Sequence, residues 1–146
     1  MRQRFTTYAS AEAVEDAFYE ALRKGDLATL MEIWADDDDV VCIHPGGRRD
    51  EGLAAVRESW AQILREGGMP IRATQRRFVT GAVLAVHHVV EAIEVRETGK
   101  SRTVYCHATN VFAKDAMGWR LVSHHASPPG ESAPADVPTA SGGVLH

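Results

Sequence analysis

The chain is predicted to be an α+β domain, with helices first and an antiparallel sheet after. Three observations predict it. Apolar residues recur at helical spacing between Val14 and Leu64. From Pro70 the period drops to two and holds to residue 127, which is the spacing of strands. The gaps between those later runs are short and contain Gly, so successive strands pair as a meander instead of alternating with crossover helices.

The elements follow in order. Ser10 can cap a helix, and Glu12 puts a negative charge in its first turn, where the helix dipole favours one. Val14, Ala17, Phe18, Ala21 and Leu22 form its apolar face, and Gly25 ends it. Asp26 caps a second, short helix with the face Leu27, Leu30, Met31 and Trp34, which stops at the acidic run Asp36 to Asp39. Val40 to Ile43 is a short β-type run, broken by His44-Pro45-Gly46-Gly47. A third helix starts near Gly52, with Leu53, Val56, Trp60, Ile63 and Leu64 as its stripe and Gly67-Gly68 as its stop. Strands are expected at about 70–80, 82–95, 101–113 and 119–127, joined at Thr80-Gly81, at Glu97 to Lys100 and at Lys114 to Gly118. The domain is expected to span residues 10–127. A flexible N-terminus (1–9) precedes it, and a mobile tail (128–146) rich in Pro, Ser, Ala and Gly follows.

A length of 146 residues fits one domain, and 45% hydrophobic with 25% charged residues is the composition of an ordinary globular core. The net charge of −4 and scattered basic residues offer no footprint for nucleic acid, so none is expected as a partner. Cys42 and Cys106 form no CxxC or zinc spacing, and two thiols make no disulfide framework. The histidines show no His-x-His or HExxH spacing, so no metal and no cofactor are expected. No apolar run approaches the roughly 20 residues of a membrane helix, and no signal-peptide core follows Met1 to Tyr8. The expected location is cytoplasmic, away from membranes.

Several segments then fall into a familiar order: Gly25-Asp26-Leu27; His44-Pro45-Gly46-Gly47 with Gly52-Leu53-Ala54-Ala55-Val56 and Ser59-Trp60; Ala108-Thr109-Asn110-Val111-Phe112; and Gly118-Trp119-Arg120-Leu121 running on to Ser127. Over residues 10–127 this order resembles the nuclear-transport-factor-2-like superfamily, most of all its SnoaL-like branch. The resemblance implies a cone-shaped barrel in which three helices pack on a curved, mainly antiparallel sheet around one pocket. It does not imply one chemistry, because the fold hosts ketosteroid isomerases, polyketide cyclases, dehydratases, oxygenase small subunits and a kinase association domain.

His44 ends the first strand, where the isomerases carry a general-base Asp; an imidazole there can also take a proton. Asn110 falls where they carry an acid that donates to the developing oxyanion, and an amide can donate too. The isomerase tyrosine maps onto Phe18, which has no hydroxyl; Tyr19 is one residue on, turned away by about 100°. Strand alternation lets only one of His124 and His125 face the pocket. The resemblance favours His124, whereas the apolar Trp119 and Leu121 argue for the other face. His87 and His88 pose the same choice and stay open. Cys42 shares a face with His44, and Cys106 with Asn110; Phe18, Trp34 and Trp60 are core residues that line the pocket of a cone.

The expected function is therefore a small-molecule pocket, with proton transfer on a carbonyl compound of the isomerase, cyclase or dehydratase type. His44 would be the base, Asn110 the oxyanion donor and His124 a further polar contact. The alternative is a non-catalytic binding or association module. A His44 without a hydrogen-bond partner would favour chemistry, and an interior closed by packed side chains would favour the module. A homodimer through the sheet is expected, because apolar residues lie on both faces: Val83, Ala85 and Val89 oppose Leu84, Val86 and Val90.

Overall fold

The computed structural model of the chain describes residues 6–130. Helix α1 (Ala11–Lys24) is capped by the Ser10 hydroxyl, which accepts from the Ala13 N–H, and ends on Gly25 in the left-handed conformation. Helix α2 (Leu27–Glu32) is capped by the Asp26 carboxylate through the Thr29 N–H. It ends two residues before Trp34. There the chain turns instead to pair with the last strand, through Leu121 N–H to Ile33 and Ala35 N–H to Leu121, both at 2.9 Å. Helix α3 (Leu53–Ile63) begins after Gly52 and buries Val56 and Trp60, but leaves Ile63 exposed.

Six strands form one sheet: β1 (Val41–Ile43), β2 (Arg49–Glu51), β3 (Ile71–Thr80), β4 (Leu84–Glu97), β5 (Lys100–Asp115) and β6 (Gly118–Ala126). Their order is β2-β1-β6-β5-β4-β3, antiparallel throughout except for β1 against β6. The four long strands lie where the period of two predicts them. Strand β2 has no sequence signal, because its residues are Arg, Asp and Glu; it forms through backbone pairing with β1 and turns only Asp50 inward. The sheet stays open, with β2 and β3 as its edges. The three helices cover one face, where Val14, Phe18, Leu22, Leu30, Val56 and Trp60 meet Val89, Phe112 and Leu121.

A bulge in β6 resolves the conflict between its two apolar patterns. Phe112 pairs with Leu121 but Val111 pairs with Ser123, so Val122 is an extra residue and the parity flips across it. Trp119 and Leu121 before the bulge, and His124 and Ala126 after it, are all buried. The expected flexible N-terminus and mobile tail lie outside the described residues apart from 6–9 and 128–130. Within those, the Tyr8 carbonyl accepts from the Trp119 N–H, and Gly130 bonds in both directions with Tyr105. Among the described residues no helix is long and apolar enough to cross a membrane.

Gly25 and Gly68 bring the end of α1 against the turn after α3. A Cβ on Gly68 would strike the Arg23 carbonyl, and one on Gly25 would lie 2.9 Å from the Gly68 nitrogen. Here Met69 N–H reaches Leu22 at 2.8 Å. Gly68→Ala is expected to cost about 2–3 kcal/mol, since the obstacle is backbone that cannot step aside. Urea unfolding checks this; a midpoint equal to wild type would contradict it.

Candidate functional site

The interior face of the cone carries an unusual number of polar side chains. Glu15, His87, Glu91, Asn110 and His124 are all buried among the core residues. They form one connected network. The Glu15 carboxylate, fully buried, receives the Arg76 guanidinium at 2.9 Å and the Asn110 amide at 2.8 Å. His87 Nδ1 stands 3.1 Å from the same carboxylate, close enough for a charge contact but misaligned for a hydrogen bond. The Asn110 NH₂ also donates to the Tyr19 hydroxyl at 3.2 Å, and that hydroxyl donates to Glu91 at 2.7 Å.

This accounting fixes protons. Both amide hydrogens of Asn110 point at acceptors, so its oxygen must accept the 2.6 Å bond from His124 Nδ1–H. The lone pair of His124 is then on Nε2, 3.8 Å from Glu91, too far for a direct bond. Burial, with His44 and His125 nearby, pushes His124 down to about 3, so it is neutral. Burial pushes Glu91 the other way, up to about 7, against the Tyr19 hydrogen bond and with Glu15 adding to the rise. Tyr19 is held well above the usual phenol range by burial and by Glu91.

His44 stands against Trp60. Its ring is 4.5 Å from the Trp60 ring, edge to face, and Trp60 is 6.0 Å from His124 and 5.8 Å from Phe18. The Ser59 hydroxyl donates to the Val56 carbonyl at 3.1 Å, so the 2.9 Å contact between His44 and Ser59 is made by Nε2–H. His44 therefore carries its lone pair on Nδ1. Burial lowers its basicity, and Asp50, 3.9 Å away, offsets part of that. Beyond His44 opens a cavity of about 420 Å³ walled by Arg48, Asp50, Ala55, Glu58, Ser59 and Gln62.

His44, Trp60, Phe18, Cys42, His124 and Asn110 thus fall in one region. Cys42 lies 3.7 Å from His44, with a thiol pushed far up by burial and by Asp50. Cys106 is buried opposite Glu91 in register, raised to about 11 by burial and by that carboxyl. Three candidates lie elsewhere or differently. His125 is exposed on the far face. Trp34 lines a separate cavity with α2. Asn110 touches no open space and has both donors committed. His87 faces inward and His88 outward. Sequence reasoning missed Glu15 and Glu91 and set Tyr19 aside. The signal existed: Glu15, Phe18, Tyr19 and Leu22 are a stripe of their own, and Glu91 continues the inward alternation of Ala85 and Val89. A turn of 100° still keeps Tyr19 inside, because the buried arc of α1 is wide.

The SnoaL-like domain family matches residues 11–131, and the chain belongs to that family. Its fold is shared with many solved structures. One from Thiobacillus denitrificans, described as a calcium/calmodulin-dependent protein kinase type II association domain, is 35% identical over 84% of this chain and 98% of its own, with a TM-score of 0.77. One from Streptomyces avermitilis, described as a dehydratase of the NTF2-like family, is 32% identical over 80% and 92%, with a TM-score of 0.71. The CaMKII hub of S. rosetta, at 20% identity over 85% and 100% with a TM-score of 0.68, shares the fold. No curated protein matches the chain.

The two perturbed groups pull stability in opposite directions with pH. Glu91 is raised from 4.5 to about 7, so its contribution is complete below about 4.5 and is lost as pH rises through 7. His124 is lowered from 6.5 to about 3, so its contribution is present above about 6.5 and is lost as pH falls towards 3. Glu91→Gln keeps an acceptor for Tyr19 and removes the ionisation. Its stability relative to wild type is expected to rise between pH 4.5 and 8 by on the order of 3 kcal/mol. Parallel unfolding curves for the two proteins across that range would contradict the assignment.

Proposed function

We propose that this SnoaL-like domain is a small-molecule-binding protein whose ligand occupies the cavity over His44. The observation that carries this reading is the cavity wall: of its seven residues only Ala55 is apolar, and burial lowers the basicity of His44. A lining of imidazole, hydroxyl, amide and charged groups suits a small polar molecule better than a steroid-like one. Two features favour binding over turnover. His44 is tied to Ser59, and the interior groups that would complete a catalytic set already satisfy one another.

The second reading is proton transfer on a carbonyl compound. It is supported by Glu91, a buried carboxyl raised to about 7, and by the likeness to the Streptomyces avermitilis protein. In that reading His44 is the base, His124 a polar contact, and Tyr19 with Glu91 takes over the oxyanion role that Asn110 cannot fill without releasing a partner.

Association through the outer face of the sheet belongs to the same proposal, in keeping with relatives described as association domains. Within one chain Val90 and Ala92 on that face are already covered, while Val79, Val83 and Leu84 remain exposed at the β3–β4 end. Two measurements test the proposal. Native mass spectrometry of the purified protein should reveal a bound small molecule that His44→Ala loses; equal retention by the variant would place the ligand elsewhere. Light scattering at micromolar concentration should give about twice the 16.0 kDa of one chain; the single-chain mass would rule the dimer out.

A further inference from the structure

The buried polar network is short of positive charge at one point. Glu15 and Glu91 both lie on the helix-covered face, out of solvent. The Arg76 guanidinium is committed to Glu15 and Asp16, at 2.9 and 3.0 Å. Asn110 directs its amide hydrogens to Glu15 and to the Tyr19 hydroxyl. Among the described residues, that leaves Glu91 the Tyr19 O–H at 2.7 Å as its donor. A carboxylate out of water needs a cation or several donors, so the charge count alone makes Glu91 hold a proton. Burial pushes it up to about 7, and Glu15 adds to the rise. The other titratable groups near it bring no fixed positive charge. They are Glu15 and Tyr19 on α1, Cys42 on β1, Cys106 on β5 and the neutral His124 on β6, while His87 on its own strand stands against Glu15.

Position decides what that proton controls. The Tyr19–Glu91 bond ties α1 to β4. On one side Glu91 pairs with Ala73 of β3, the edge strand. Ala73 offers only a methyl and is half-buried, so the sheet ends one small side chain away from the carboxyl. Helix α1 is clamped to β3 on both sides of Tyr19. Arg76 holds it at Glu15, and the Arg23 guanidinium donates to the Ile71 carbonyl at 3.1 Å, next to the Met69–Leu22 backbone bond. The span around Tyr19 lies between these clamps and depends on the bond to Glu91.

We propose that Glu91 is a proton-held latch: with its proton it keeps the span of α1 around Tyr19 closed on β3 and β4, and once ionised it draws water in between them. In the opened form the carboxyl is hydrated and titrates near the ordinary 4.5, against about 7 when closed. Opening therefore grows as pH rises from about 4.5 and levels off above about 7, and acid keeps the interior shut. The latch does not involve the His44 cavity, so it and the ligand reading fail separately.

Amide hydrogen exchange of the full-length protein by NMR reads the opening, expressed as protection factors so that the intrinsic pH dependence is removed. Between pH 5 and 8, protection is expected to fall roughly ten- to hundredfold from Phe18 to Leu22. It should stay level at Val111 and Ser123, where β5 meets β6. Glu91→Gln should abolish the fall. Tyr19→Phe removes the hydrogen bond that favours the ionised form, and should carry the levelling-off to higher pH. The Glu91 carboxyl ¹³C signal of the wild-type protein gives a check that needs no variant: it should titrate near the pH where the loss of protection levels off. The latch is overturned if protection from Phe18 to Leu22 is independent of pH, or if Glu91→Gln loses it equally. It is also overturned if Val111 and Ser123 lose as much, which is global unfolding, or if the carboxyl titrates near 4.5.

Discussion

Glu15 lies on α1 with no exposure to solvent, and a carboxylate taken out of water has to be compensated inside the protein. Arg76 reaches it from the β3 edge, His87 stands beside it on β4, and Asn110 donates to it from β5. One side chain on a helix therefore ties together three strands of the sheet. It also sets every orientation downstream. Because Asn110 must give a hydrogen to Glu15, its oxygen turns to His124, and His124 must hold its proton on Nδ1. The direction of the interior network follows from where one negative charge is buried.

The same network shows why the fold could be read from sequence and the site only in part. The helices and long strands announce themselves through periodicity, since a residue's face repeats every 3.6 or every 2 positions. Ser10, Gly25 and Asp26 also act through strictly local chemistry. Strand β2 is different: Arg49, Asp50 and Glu51 carry no apolar period, and only β1 makes them a strand. In β6 the period itself breaks. The bulge at Val122 depends on how many residues β5 places opposite, so Trp119 and His124 look like opposite faces until the pairing is known. His44, Trp60 and His124 were visible because they stand in motif positions. Glu15 and Glu91 were not, because a charged residue on a buried stripe looks like an exception until its partners, 61 and 72 residues away, are seen.

Burial pushes the two central acids and bases toward their neutral forms, but with opposite consequences. A neutral His124 is an acceptor at Nε2, and Glu91, protonated below about 7, is a donor. They face one another 3.8 Å apart with Tyr19 between the network's arms. Such a pair can pass a proton only through a group that bridges it. The polar groups also hold α1 to the sheet, through Glu15 to Asn110 and Tyr19 to Glu91.

Trp60 decides how the two halves of the site relate. Its ring lies 4.5 Å from that of His44, which lines the outer cavity, and 6.0 Å from that of His124, which is buried. It is buried, as are His124 and Glu91. Moving that ring would uncover Phe18 and Cys42 as well, which pack beside it. Displacing the Trp60 ring therefore disturbs several packed side chains at once.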